Sequence, residues 1–171
     1  MVAAEKIEHI IMPHEDLVLT AKEREAILEL AYLTIAWDGA LAKAELDAFR
    51  IIALHLRDMV GDPSVGPKSK NPKDVAENKK LTDAELAKLL AEFANGLDRA
   101  AADERLLSLG PALSRKEAAT FAYEIACALA LIDGDAGDAE FELELQLLDA
   151  LSLDTDEAET LALRTRTLML G

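Results

Sequence analysis

The sequence predicts an all-α protein, a bundle of helices, and three observations support this fold class. Apolar residues recur at the three- and four-residue spacing of an amphipathic helix, and alternating strand patterns are absent from the sequence. Aromatic residues make up only 4% of the chain. Turn pairs such as Asp38-Gly39 and Asp133-Gly134 follow apolar stretches, where a helix would end. With 171 residues, the chain is long enough for one domain, 1–171, whose core needs no disulfide.

Start and stop signals divide the chain into about seven helices, or eight when the short first segment is counted. Three starts are capping boxes, in which a hydroxyl and a carboxylate three residues later satisfy free backbone N–H groups. These boxes are Thr20–Glu23, Thr82–Glu85 and Ser114–Glu117. Stop signals are Pro13 and the turn pairs Asp38-Gly39, Asn95-Gly96, Gly110-Pro111 and Asp133-Gly134. The predicted helices span residues 3–11, 20–37, 43–59, 82–94, 97–108, 114–132, 138–151 and 155–168.

Two predicted helices carry apolar stripes that belong in a core rather than in a cofactor site. Cys127 lies among alanines on the second of these helices, and it is predicted to be a small buried apolar residue. The stripes consist of Ile27, Leu30, Ala31 and Ile35 in one helix and Phe121, Ile125, Ala128 and Leu129 in the other.

Composition excludes several classes of protein. The formal net charge of -15 opposes binding to nucleic acid or to an anionic membrane. One cysteine and three histidines exclude a disulfide framework and a thiolate or histidine-rich metal centre. The sequence contains no apolar stretch long enough to span a bilayer, and its start does not resemble a secretory leader. We therefore expect a cytoplasmic protein without direct membrane insertion.

Residues 60–80 interrupt the helical pattern with three prolines and five lysines. A loop of this length is usually functional or mobile. It is either a solvated linker or a docking surface. A docking surface would bind an acidic partner or the protein's own acidic face. Residues 133–159 are such an acidic face, with eleven acidic residues and no basic one. The lysines that would dock a partner are Lys68, Lys70, Lys73, Lys79 and Lys80.

An acidic motif occurs twice, at an offset of 95 residues. In each copy an Asp-Gly pair follows an apolar helix, and a glutamate stands seven positions after the aspartate. Asp38 and Glu45 form the first pair, and Asp133 and Glu140 form the second. The repeat predicts two helical hairpins around a rough two-fold axis. Aspartate at a helix C-terminus faces the negative end of the helix dipole, so it needs a compensating cation or donor.

The four motif carboxylates suit a hard divalent cation, Ca²⁺, Mn²⁺ or Mg²⁺. Asp135 and Asp138 add carboxylates to the second copy, which makes it the better candidate metal site. The two motifs either share one ion or hold one each. Alternatively, the glutamates only accept hydrogen bonds from free N–H groups of the turn, in which case the motifs cap helices and bind no metal.

These paired motifs, in an acidic and all-helical sequence, resemble the tellurite-resistance TerB-like family. The resemblance covers roughly residues 15–170 and implies a helical bundle with internal two-fold pseudo-symmetry. It implies divalent metal at Asp38, Glu45, Asp133 and Glu140, and a stress-response role with protein partners that are often membrane-associated. The resemblance implies no role for the lysine-rich segment at 60–80.

The residues therefore predict a non-enzymatic, metal-binding and partner-docking module. A purely structural or protein-interaction module, whose motifs only cap helices, is the first alternative. A metal-dependent hydrolase is the second, and it ranks last because the sequence offers no general base apart from the same acids.

Overall fold

Every regular element in the described part of the chain is a helix. The computed structural model describes residues 3–14, 17–36, 43–59, 82–97, 102–132 and 138–170. Within these ranges there are eight α-helices, two 3₁₀ turns and no β-strand, so the all-α prediction is confirmed. The helices are α1 (Ala3–Ile11), α2 (Ala21–Ala36), α3 (Lys43–Met59), α4 (Asp83–Leu97), α5 (Ala102–Ser108), α6 (Lys116–Ala130), α7 (Asp138–Leu151) and α8 (Thr155–Leu170); the 3₁₀ turns are Met12–His14 and Gly110–Leu113.

Helices α2 and α6 form the centre of the bundle. They pack against each other, and most residues of each helix are buried, on all of its faces. A helix that is apolar around its whole circumference belongs inside a protein rather than at its surface. The two predicted stripes, from Ile27 to Ile35 and from Phe121 to Leu129, are buried here, and Cys127 is buried with them.

The other helices surround this pair. Helix α3 packs on α2 and on α1, while α7 packs on α6 and on α5. Helix α8 covers α6 and also contacts α1, whereas α4 touches α2 and α5 at only a few places. The first half of the bundle therefore has a looser outer layer than the second.

The capping box that begins α2 forms as predicted. The backbone N–H of Thr20 donates to Oε1 of Glu23 over 2.9 Å, and the N–H of Glu23 donates to the Thr20 hydroxyl over 3.1 Å. At α4 the N–H of Glu85 likewise donates to the Thr82 hydroxyl over 3.1 Å. Both helix starts therefore follow from local hydrogen bonding.

Two predicted boundaries are wrong. Asn95-Gly96 does not end α4, which continues to Leu97. Ser114 does not cap α6, because Arg115 is the N-cap residue and no side chain caps the helix start. The side chain of Arg115 instead contacts α2. A long-range contact is therefore formed where the sequence predicts a local cap.

None of the helices in the described ranges is long and apolar enough to cross a bilayer.

Candidate functional site

The predicted metal ligands that the structure describes lie at the starts of α3 and α7. Asp38, Asp133 and Asp135 lie outside the described residues. Asp138 and Glu140 belong to the first turn of α7, where only the backbone is described. Glu45 is the one motif residue whose side chain is described.

Glu45 is the third residue of α3, and its side chain is 8% exposed. Its carboxylate lies in the first turn, near the positive end of the helix dipole, which stabilises negative charge. A buried carboxylate must be compensated by hydrogen bonds, a cation or both. The position is therefore suited either to a capping hydrogen bond or to a metal ligand.

Among the described residues, no three His, Cys, Asp or Glu side chains cluster closely enough to hold a metal ion. Because most of the motif lies outside those residues, the predicted metal site is not tested by this finding. The five docking lysines, Lys68, Lys70, Lys73, Lys79 and Lys80, also lie outside the described residues.

A buried ionic cluster, which sequence reasoning missed, lies beside the middle of α6. Glu124 is 2% exposed, and its neighbours along α6 are buried and mostly apolar. Its Oε2 is 2.6 Å from Nε2 of His14, and its Oε1 accepts a hydrogen bond from Arg164 of α8. The His14 ring also lies on Phe121, with 4.8 Å between ring centroids. The cluster joins the turn after α1, helix α6 and helix α8.

Helix α2 carries a partly buried carboxylate, Glu29, whose side chain is 15% exposed. Both oxygens of Glu29 accept hydrogen bonds from Arg105 of α5, in the two-pronged geometry that a guanidinium favours. Each central helix therefore holds a carboxylate that is bound by a cation from another part of the fold.

Another buried carboxylate, Glu23, connects the starts of α2 and α6. Arg115 donates to both oxygens of Glu23, over 3.0 and 2.9 Å, and to the carbonyl oxygen of Val18. Burial raises the pKa of Glu23, but hydrogen bonds from Arg115 and from the Thr20 N–H outweigh it, so the pKa lies below its usual 4.5. These bonds keep Glu23 ionised at neutral pH.

The His14 side chain makes stability depend on pH. Burial, and secondly the charge of Arg164, lower the pKa of His14 below its usual 6.5. The folded protein then binds the histidine proton less readily than the unfolded chain. The stabilisation is complete above pH 6.5 and is lost as the pH falls through the folded-state pKa. We expect the free energy of unfolding to decrease from pH 7.5 to 5, by at most about 1.4 kcal/mol per pH unit from this group.

Urea unfolding at several pH values would measure this slope in the natural chain and in His14→Gln, which removes the titration. His9→Gln, at an exposed position on α1, is the matched control. The slope should weaken only in His14→Gln. Equal slopes in all three proteins between pH 5 and 7 would contradict the assignment. Glu23 does not interfere, because its contribution is lost only below pH 4.5.

In comparisons with protein-family models, curated proteins and solved structures, no family model, curated protein or solved structure matches this chain. Its function is therefore inferred from its own residues and their arrangement.

Proposed function

We propose that this protein is a non-enzymatic helical module of two related halves. The module binds a divalent cation through its Asp-Gly…Glu motifs and docks on protein partners in the cytoplasm, in the manner of the TerB-like stress-response proteins that its motifs resemble. The docking part of the proposal rests on the lysines of residues 60–80 and on the acidic face of residues 133–159.

The observation that carries the proposal is the register of the helices. Helix α2 begins at residue 21 and α6 at residue 116, while α3 begins at residue 43 and α7 at residue 138. Both pairs of starts are therefore 95 residues apart, the same offset as the two motifs. This register makes Glu45 and Glu140 the third residue of their helices. Two motifs in the same structural position are expected to do the same task.

The packing around the central helices supports the two related halves. Helix α1 packs on α3 as α5 packs on α7, and each half places a 3₁₀ turn before its central helix. Glu29 and Glu124 are also 95 residues apart. Glu29 is bound by Arg105 of α5, and Glu124 by His14 of the turn after α1. These agreements involve residues outside the motifs, so they are independent of them.

A cation is the natural complement of each motif. Asp38 and Asp133 follow the C-terminal ends of central helices, where the helix dipole disfavours negative charge. Carboxylate ligands without sulfur or histidine nearby in the sequence favour Ca²⁺, Mn²⁺ or Mg²⁺ over softer ions such as Zn²⁺. In a chain of net charge -15, a bound divalent cation also relieves repulsion between the acids.

The position of Glu45 also favours the structural alternative. Glu23 is likewise the third residue of its helix, and it accepts a hydrogen bond from the backbone of its own N-terminal cap. Glu45 and Glu140 could cap α3 and α7 in the same way. The two functions differ in one measurable property, which is saturable binding of metal.

Calorimetric titration of metal-free protein with Ca²⁺, Mn²⁺ and Mg²⁺ tests the proposal. Physiological salt is needed because it screens diffuse attraction of cations to an acidic surface. We expect saturable binding of about one or two ions to the natural chain, since each motif supplies carboxylate ligands for one site or half of a shared site. Binding should be lost in the double variant Asp38→Asn/Asp133→Asn.

The matched control is Glu8→Gln/Glu159→Gln, which removes the same charge at exposed positions on α1 and α8. It should bind as the natural chain does. If the natural chain gives only the heat of the motif variant, the motifs are caps and the structural alternative replaces the metal-binding function.

A further inference from the structure

A cleft separates α4 from α2 and α3. It has a volume of about 310 Å³, and a second hollow of about 410 Å³ adjoins it along α2 and α4. The two hollows share Arg24, Leu28, Leu89 and Glu92 as walls. Cavities of this size hold small organic molecules.

The lining of the cleft combines an apolar floor with a charged rim. Leu28, Ala53 and Leu89 supply the apolar surface. Arg57 and Glu85 face each other across the rim at 2.8 Å and neutralise one another.

The charges that remain on the rim are not balanced. They are the cations of Arg24 and Lys88 and the carboxylate of Glu92. The cleft therefore has one positive charge in excess, within a chain whose net charge is -15.

Among the residues that line the cleft, Arg24 has a shielded donor without a described acceptor. Its Nε is shielded from solvent, with less than 1 Å² exposed, yet it has no hydrogen-bond acceptor among the described residues. A shielded N–H without an acceptor costs free energy, and no acceptor for Nε holds the side chain in this orientation. A guanidinium binds a carboxylate through two parallel hydrogen bonds, so Arg24, which lines the cleft, can turn to bind an anion there.

In the 95-residue register, Ala119 of α6 stands where Arg24 stands in α2, so the arginine has no counterpart in the second half of the bundle.

We infer that this cleft binds a small organic monocarboxylate with an apolar tail. The carboxylate pairs with Arg24 and neutralises the single excess charge, while the tail covers Leu28, Ala53 and Leu89. The residues on which this inference rests belong to neither the metal motifs nor the lysine segment, so it does not depend on the proposed function.

Titration of the full chain with octanoate tests the site, with the methyl resonances of Leu28, Ala53 and Leu89 as reporters. We expect saturable shifts with a dissociation constant below about 1 mM, the range open to a ligand of this size. Acetate, which lacks the tail, and octanol, which lacks the charge, should each bind at least about tenfold more weakly. Failure of octanoate to saturate, or equal binding of acetate or octanol, would overturn the inference.

Arg24→Gln should weaken octanoate binding about tenfold or more, because it removes the charge and the fork. Since the Arg24 side chain makes no hydrogen bond or ion pair with the described part of the chain, the variant should fold normally, which circular dichroism would verify. Lys88→Gln gives a second, exposed variant with a smaller expected loss. Arg166→Gln, on the exposed side of α8, removes the same charge elsewhere and should leave binding unchanged. Equal affinity of the Arg24→Gln and Arg166→Gln proteins would refute the role of Arg24.

Discussion

Phe121→Ala is expected to lower the free energy of unfolding by about 3–5 kcal/mol, the usual cost of emptying a buried aromatic site. Phe121 is fully buried in the central helix α6 and is among the largest buried side chains of the described core. Its neighbours lie on rigid helices that cannot collapse into the space left by a ring. The substitution also removes the surface on which the His14 ring lies. Because both contacts are lost, we expect the destabilisation to lie in the upper part of this range.

Urea unfolding followed by far-ultraviolet circular dichroism would measure the effect. Leu163→Ala is the matched control, because Leu163 is 64% exposed on α8 and should change stability by less than about 0.5 kcal/mol. An unchanged slope of free energy against urea would show that the two variants unfold from comparable native states. A loss below about 1 kcal/mol for Phe121→Ala would mean that the bundle repacks around the gap, contrary to a close-packed core.

The helices themselves could be predicted from the sequence because their causes are local. The capping box of Thr20 and Glu23, the apolar spacing and the turn pairs each act within a few residues. The stretch from Ile27 to Ile35 could be placed in the core for the same reason. The exception at Asn95-Gly96 is also physical, since a turn pair only permits a helix to end and does not oblige it to do so.

The partners of Glu124 and Glu29 could not be predicted, because they are far from these glutamates in the sequence. Glu124 lies 110 positions from His14, and Glu29 lies 76 positions from Arg105. A signal was nevertheless present. Each glutamate interrupts the middle of an otherwise apolar helix, and both stand nine residues before the motif aspartate. A charged residue that recurs on a core face of both repeats indicates a buried pair, since an uncompensated buried charge would be too costly.

The start of α6 shows how a long-range contact overrides a local signal. Ser114 and Glu117 have the spacing of a capping box, as Thr20 and Glu23 do. Arg115 nevertheless occupies the cap position, and its guanidinium binds Glu23 and the Val18 carbonyl oxygen. The cation thereby satisfies the buried carboxylate of α2, which the sequence of α6 alone does not reveal.

The cleft between α2 and α4 also could not be predicted from the sequence, because it depends on how closely these two helices pack in the folded protein. Arg24 occurs on a helix with many charged neighbours in sequence, so nothing local distinguishes it from a solvated arginine. Only the packing reveals that its Nε is shielded and has no acceptor in the described ranges.

Gly110→Ala is expected to lower the free energy of unfolding by about 3 kcal/mol, at the upper end of the range for overpacking. A Cβ on Gly110 would lie closer to the carbonyl oxygen of Ala150 than van der Waals contact permits. The position of a Cβ is fixed by the backbone, and the oxygen of Ala150 is a backbone atom, so no change of side-chain rotamer can relieve the contact. The turn Gly110–Leu113 and the end of α7 must separate instead. The glycine is required here for space and not for an unusual backbone angle.

Thermal and urea unfolding of Gly110→Ala, compared with Ser114→Ala, would test this reasoning. Ser114 is an exposed residue at the other end of the same turn, and no side chain caps the following helix. Its substitution should therefore cost less than about 0.5 kcal/mol, whereas removal of a true cap costs about 1 kcal/mol. Equal stability of the Gly110→Ala variant and the natural chain would mean that α7 does not approach the turn as closely as described. If Ser114→Ala lowers the free energy of unfolding by about 1 kcal/mol, Ser114 caps α6 as the sequence predicts.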